Sequence, residues 1–264
     1  MATVSDKLVG AYCVFKEDGT LGIWQTDYSS FAKLENVTTA TKLNSIAFSK
    51  DAFWGVTEPN PKTPGNVVNW KNAGPSPSGD AWNAGSWSPL NALGDVTMLA
   101  FGPAAAAGQS PMMFAVGTDG QIRQWQGFQW SPALYQPTGD PKVVPPTVLS
   151  MIAWDTAATP NLWAVSGTDV MKWDPNYNQW EDYKTLGAKQ LQMLAFDASG
   201  GMWGLDADGH IWRWDSGTSG ASGGAAGAVG SAASAVGSWK QDPYFANVKV
   251  SWLAFKPAAA PAGK

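Results

Sequence analysis

The 264-residue chain carries 17 basic against 21 acidic side chains, a formal net charge of −4, and no run of Lys or Arg that could track a phosphate backbone; nucleic acid is therefore not an expected partner. Charged residues make up only 14% while Trp reaches 16, which supplies a packed core and excludes a disordered chain. Cys13 is the single cysteine, so neither an intramolecular disulfide nor a multi-thiolate zinc site can be built.

The amino end, MATVSDKLVGAYCVF, lacks the basic start and continuous apolar run of a secretory signal. A cytoplasmic location is expected, and a non-classical route of release would leave no mark on such a sequence. No window approaches 18 apolar residues, so no membrane span is expected.

In chain order, the first strand-like segment is Tyr12-Cys13-Val14, followed by Asp18-Gly19, an apolar-to-Trp run at Leu21–Trp24, and Phe31. A fuller unit follows: Ser45–Phe48 (SIAF), Trp54-Gly55-Val56, Val67–Trp70 (VVNW), and Trp87 beyond an excursion from Lys71 to Ser86. It recurs as Met98–Phe101, Phe114-Ala115-Val116, Ile122–Trp125 and Trp130, and again as Met151–Trp154, Trp163-Ala164-Val165, Val170–Trp173 and Trp180. The next copy holds Met193–Phe196, Trp203-Gly204-Leu205, Ile211–Trp214 and Trp239, with a Gly/Ala/Ser insertion at 216–238 that reads as a flexible excursion. Trp252–Phe255 (WLAF) then stands alone before a tail, 257–264, expected to fray. Asp18-Gly19, Asp119-Gly120 and Asp208-Gly209 mark hairpin turns that need positive φ.

Each unit is four short strands, the size of one propeller blade. The last copy has a first strand and nothing after it, whereas the amino end has three strands and no first. Together they complete one blade and leave no open edge. The sequence therefore predicts an all-β fold, a five-bladed β-propeller of four-stranded antiparallel blades, about twenty strands in one domain over 1–264. A linear solenoid would carry polar capping repeats in place of a complementary broken unit.

Thirteen tryptophans occupy repeat columns and are expected to wedge between blades, their indole N–H groups on neighbouring carbonyls. Trp82, Trp212 and Trp252 fall outside what the repeat demands. Exposed indoles stack on the apolar face of a pyranose, which makes these three the candidate ligand contacts. A polar column, Asn69, Gln124, Lys172 and Arg213, stands directly before the third-strand Trp, with Ile23 in the split copy. It is either solvated blade surface or a set of hydrogen-bonding partners for sugar hydroxyls in grooves between blades.

Catalysis has little material. His210 is the only histidine, beside a hairpin Gly, so no His-based triad or metal cluster is expected, and no cofactor. Asp206 to Gly209 (DADG) lacks the remaining ligands of an EF-hand and reads better as a turn. Paired carboxylates from separate blades would be the one route to an enzyme, a glycosidase.

The recurring W-G-V, D-G and I-x-x-W pattern, spread over nearly the whole chain, resembles the tectonin-repeat β-propeller lectin family, which is tachylectin-like. That resemblance implies a non-enzymatic carbohydrate-binding protein of recognition or defence, taking neutral or methylated sugars and glycoconjugates at repeated sites. The alternatives are a protein-interaction scaffold using one propeller face and, third, a glycosidase-like enzyme.

Overall fold

A computed structural model describes residues 10–25, 30–34, 42–49, 53–57, 66–72, 85–90, 96–104, 109–137, 148–183, 186, 189–216, 237–241 and 245–255. Trp82, residues 217–236 of the insertion and the tail 257–264 lie outside this set. The chain opens with β1 (Ala11–Phe15), β2 (Leu21–Gln25) and β3 (Ser30–Lys33). Blade 1 follows as β4 (Leu43–Phe48), β5 (Phe53–Thr57), β6 (Val67–Asn72) and β7 (Gly85–Pro89). Blade 2 is β8 (Val96–Ala104), β9 (Pro111–Gly117) and β10 (Ile122–Gln124). Blade 3 is β11 (Met151–Trp154), β12 (Leu162–Ser166), β13 (Asp169–Asp174) and β14 (Gln179–Asp182), and blade 4 is β15 (Leu191–Phe196), β16 (Met202–Asp206), β17 (Ile211–Asp215) and β18 (Ser238–Gln241).

The split blade forms as the sequence predicts. β19 (Val250–Phe255) pairs antiparallel with β1, Cys13 opposite Leu253, and blade 5 runs in the order β19-β1-β2-β3. The first strands β4, β8, β11, β15 and β19 touch one another in cyclic order, so the ring is closed around them. The fold is a five-bladed β-propeller.

One expected strand is missing as a ladder. The fourth strand of blade 2 is reduced to two bridges, Trp125 opposite Trp130 and Ile122 opposite Leu134. There the Ser131 hydroxyl accepts the Gln124 amide N–H at 3.0 Å, where a regular ladder would offer a carbonyl. Pro132 next to it has no N–H to give.

Two aromatic contacts recur in every blade. Within a blade, the third-strand Trp meets the fourth-strand aromatic directly across the ladder, edge to face: Trp24–Phe31, Trp70–Trp87, Trp125–Trp130, Trp173–Trp180 and Trp214–Trp239, with centroids 5.2–5.4 Å apart. Between blades, the aromatic ending each first strand tilts onto the second-strand aromatic of the blade before it. These pairs are Phe48 on Tyr12, Phe101 on Trp54, Trp154 on Phe114, Phe196 on Trp163 and Phe255 on Trp203, at 4.5–6.1 Å and 39–48°. Trp163 and Trp203 are fully buried by this packing. At about 25 cal/mol per Å² and roughly 150–250 Å² per ring, each stabilises the fold by about 4–6 kcal/mol as an upper value.

The opposite ends of the strands are joined by the turns between second and third strands. Gly19, Gly120 and Gly209 have φ of 69°, 73° and 85°, the left-handed region that the Asp-Gly pairs signalled. The Gly120 carbonyl accepts the Leu149 N–H of blade 3's first-strand approach, and the Gly209 carbonyl accepts the N–H of Val250 in β19. Each turn thus docks on the next blade. A Cβ on Gly209 would sit 2.5 Å from the Val250 carbonyl oxygen, whereas one on Gly167 (φ 61°) would meet nothing within 4 Å.

Gly167→Ala is therefore expected to cost only the backbone penalty, about 1–2 kcal/mol, and Gly209→Ala distinctly more; equal losses in urea denaturation would show that the turn is not seated on its neighbour. Deleting residues 249–264 removes β19 and bares the edges of β1 and of the central ring. Aggregation or loss of cooperative unfolding is expected, and a soluble, cooperative truncation would contradict closure by the two chain ends.

Candidate functional site

The polar column does not converge on one site, because each member belongs to its own blade and lies across the ladder from that blade's second-strand aromatic. Asn69 is opposite Trp54, Gln124 opposite Phe114, Lys172 opposite Trp163 and Arg213 opposite Trp203. Asn69 donates Nδ2–H to the Phe53 carbonyl at 3.2 Å, and Gln124 donates Nε2–H to the Met112 sulfur at 3.1 Å. The Lys172 ammonium lies 5.7 Å from the centroid of Trp163 and the Arg213 guanidinium 5.8 Å from that of Trp203, both within cation–π range. In the fold Lys172 and Arg213 lie over junction indoles, while Asn69 and Gln124 bond to groups on the second strands of their own blades. Ile23 holds the same register position opposite Tyr12 in blade 5.

The two covered indoles are aimed from within by buried carboxylates. Asp155 accepts from the Ala157 and Asn161 amides, the Asn161 side chain and the Trp163 indole, the last at 3.0 Å. Asp197 accepts from the Ser199 amide and hydroxyl, the Gly201 amide and the Trp203 indole, the last at 2.9 Å. Both carboxylates are almost wholly buried, so all four donors are needed to offset their desolvation. Sequence reading assigned indole N–H groups to carbonyls, and missed these acids. The available signal was an Asp directly after the first-strand aromatic, in Trp154-Asp155 and Phe196-Asp197 alone.

Carbonyls serve two of the four fourth-strand tryptophans, whereas the indole N–H groups of Trp87 and Trp130 are buried without a hydrogen-bond partner. Trp180 donates to the Tyr135 carbonyl and Trp239 to that of Leu186, each on the segment arriving from the preceding blade.

Trp212 is half-buried in β17, with its indole N–H on Asp206 Oδ2 at 2.9 Å and the Lys189 ammonium 4.1 Å from its ring centroid. Asp206 also accepts the amides of Asp208 and His210, and His210 Nδ1 lies 3.1 Å from Oδ2. Burial pushes the Asp206 carboxyl up, but the donors from Trp212 and His210 outweigh it and hold the group below the usual carboxylate range. Asp206, Asp208 and His210 bring ligand-type atoms within 4.8 Å of one another, yet the Asp206 oxygens already organise the hairpin.

Trp252 stands in the central ring. Its N–H reaches the Ile46 carbonyl of β4 at 2.8 Å, and its ring packs against the hydrophobic clusters on both sides of the closing junction. Methionines occupy its place in other blades, and the sulfurs of Met98 and Met193 each accept an amide N–H from the next first strand, from Ile152 and Leu253 at 3.3 Å. The candidates Trp212 and Trp252 are thus far apart in the topology, one in a blade 4 hairpin and one on the axis.

The exposed rings lie elsewhere, at positions sequence reading did not single out. Phe128 is 75% and Tyr177 71% exposed, at the turns joining third and fourth strands of adjacent blades 2 and 3. Amides flank both: Gln126 and Gln129, then Asn176 and Asn178. Strands alternate in direction, so these turns share one end of the molecule with the collar of five first-strand aromatics. That collar surrounds an axial cavity of about 430 Å³.

The class this geometry defines is the five-bladed β-propeller. No known protein-family model matches the chain, and no curated protein matches it. Among solved structures the chain is similar to YCF48, in a structure described as bound to a D1 peptide, with a TM-score of 0.36 and 19% identity over 74% of this chain and 57% of that one. It is also similar to PorZ of Porphyromonas gingivalis, described as an essential surface component of the type-IX secretion system, with a TM-score of 0.40 and 10% identity over 76% of this chain and 29% of that one. The chain thus spans less than two thirds of either structure.

Replacing Trp212 by Phe removes one donor from Asp206 and leaves its burial. The Asp206 pKa is expected to rise towards the ordinary value, followed by NMR titration of its side-chain carboxyl carbon. Because the wild-type pKa is depressed, the stability it contributes is present above the unfolded-state value and lost as pH falls through the folded one; the variant should lose it at higher pH. An unchanged Asp206 titration would show that the indole hydrogen bond does not stabilise the charge.

Proposed function

We propose that this propeller is a non-enzymatic carbohydrate-binding protein, a lectin of the tectonin kind, taking neutral sugars at several weak sites whose avidity comes from presentation on one ring. The observation that carries this reading is the pair of exposed aromatic rings, Phe128 and Tyr177, at equivalent outer turns and bracketed by side-chain amides. An exposed ring offers a flat apolar face to a pyranose, and amides both donate to and accept from its hydroxyls. In this reading Asn69, Gln124, Lys172, Arg213, Trp212 and Trp252 support the fold, and recognition falls to the outer turns. Blade 5 has Tyr28 at the corresponding place in the sequence, outside the described residues. The absence of catalysis is part of the proposal, supported by the engagement of His210 with Asp206 in its own turn.

A glycan array followed by calorimetry tests it. Selective binding, relieved by free monosaccharide, with two to five sites per chain is expected. Phe128→Ala and Tyr177→Ala should each weaken binding roughly three- to tenfold, the value of one aromatic contact, while leaving the unfolding midpoint nearly unchanged. A silent array would overturn the lectin reading and favour a protein-binding scaffold.

A further inference from the structure

We infer that the axial cavity is a second and separate binding site, for a neutral, ring-bearing apolar small molecule. It lies on the five first strands, opens at the aromatic collar, and at about 430 Å³ has the size of a small-ligand pocket. In every copy, the split one included, the residue before the collar aromatic is Ala, and these alanines line the cavity. Ala153 and Ala254 are only half-buried, each packed against the core and open on its remaining side to the cavity. Phe101, Trp154 and Phe255 likewise keep part of their rings exposed at the collar. Met98, Met151 and Met193 add unbranched, polarizable walls that adapt to an occupant's shape.

The polar groups of the lining define the charge of the ligand. Asp155 is the only charged side chain among the described lining residues, and its two oxygens already take four donors. The Thr156 hydroxyl donates to the Asp197 carbonyl, and the Trp252 N–H to that of Ile46. An anion would meet a carboxylate and no cation, and a cation would have to compete for oxygens that are already shared. The surface left to an occupant is mostly aromatic and aliphatic.

The test uses the whole chain and the neutral fluorophore N-phenyl-1-naphthylamine. Saturable binding at one site per chain is expected, with its sulfonated analogue 8-anilinonaphthalene-1-sulfonate at least tenfold weaker. Ala153→Leu and Ala254→Leu, which fill the cavity from two first strands separated by β15, should each weaken the neutral probe at least tenfold without lowering the thermal midpoint. Should one variant fail to fold, the other carries the same reading. No saturable binding by the wild-type chain, or wild-type affinity in a folded variant, overturns the site. Equal or tighter binding of the sulfonate overturns its neutral class.

Discussion

Everything in this molecule depends on the tilted aromatic pair at each blade junction. A four-stranded blade has two faces and too few residues to bury either alone, so it is stable only when its neighbours cover both. The pair does this with one ring from each side: the aromatic ending a first strand lies on the second-strand aromatic of the blade before it, five times round. Offset, tilted rings exploit the quadrupole of the π-system as well as the buried area. Where the second-strand ring is an indole its N–H is buried as well: in blades 3 and 4 Asp155 and Asp197 accept it, while that of Trp54 in blade 1 has no hydrogen-bond partner.

A closed ring of such pairs admits no weak junction, since one opening exposes the aromatic faces of two blades together. The junction between blades 5 and 1 is where β19 meets β4, and it has the largest side chain of its column, Trp252. Met98 and Met193 bridge adjacent first strands elsewhere through sulfur, and Ser45 of blade 1 offers a much smaller group. Trp252 adds a directional hydrogen bond at the point where residues from the two ends of the chain must find each other. Loop closure of the whole chain costs little more than closure of half of it, because the entropy grows only with the logarithm of length.

The two ends of the propeller divide the work. At one end the Asp-Gly turns dock on the following blade and leave the structure little freedom, as the crowding around Gly120 and Gly209 shows. At the other lie the collar, the axial cavity, the outer turns with Phe128 and Tyr177, and the points where both long insertions leave blades 1 and 4. A tightly docked base with the longer loops at the opposite end is an arrangement in which loops change at little cost to the scaffold.

The repeat, the number of blades and the composite blade were legible in the sequence because they rest on local chemistry. Strand alternation, Gly where φ is positive, and a Trp at a fixed place in each unit are set by a few neighbouring residues. The partners of those residues were not legible. Phe196 and Trp163 are 33 positions apart and belong to different units, so only the angle between packed blades makes them a pair. The same geometry set Lys172 and Arg213 over junction indoles and made Trp252 a junction residue. Phe128 and Tyr177 carried no sequence signal of exposure, because a large apolar residue in a turn looks the same whether neighbouring segments cover it or leave it open. The amino-acid sequence determined every strand but the fourth of blade 2, and that the ends meet; which rings are buried, and which face outward, was decided by how five blades tilt around one axis.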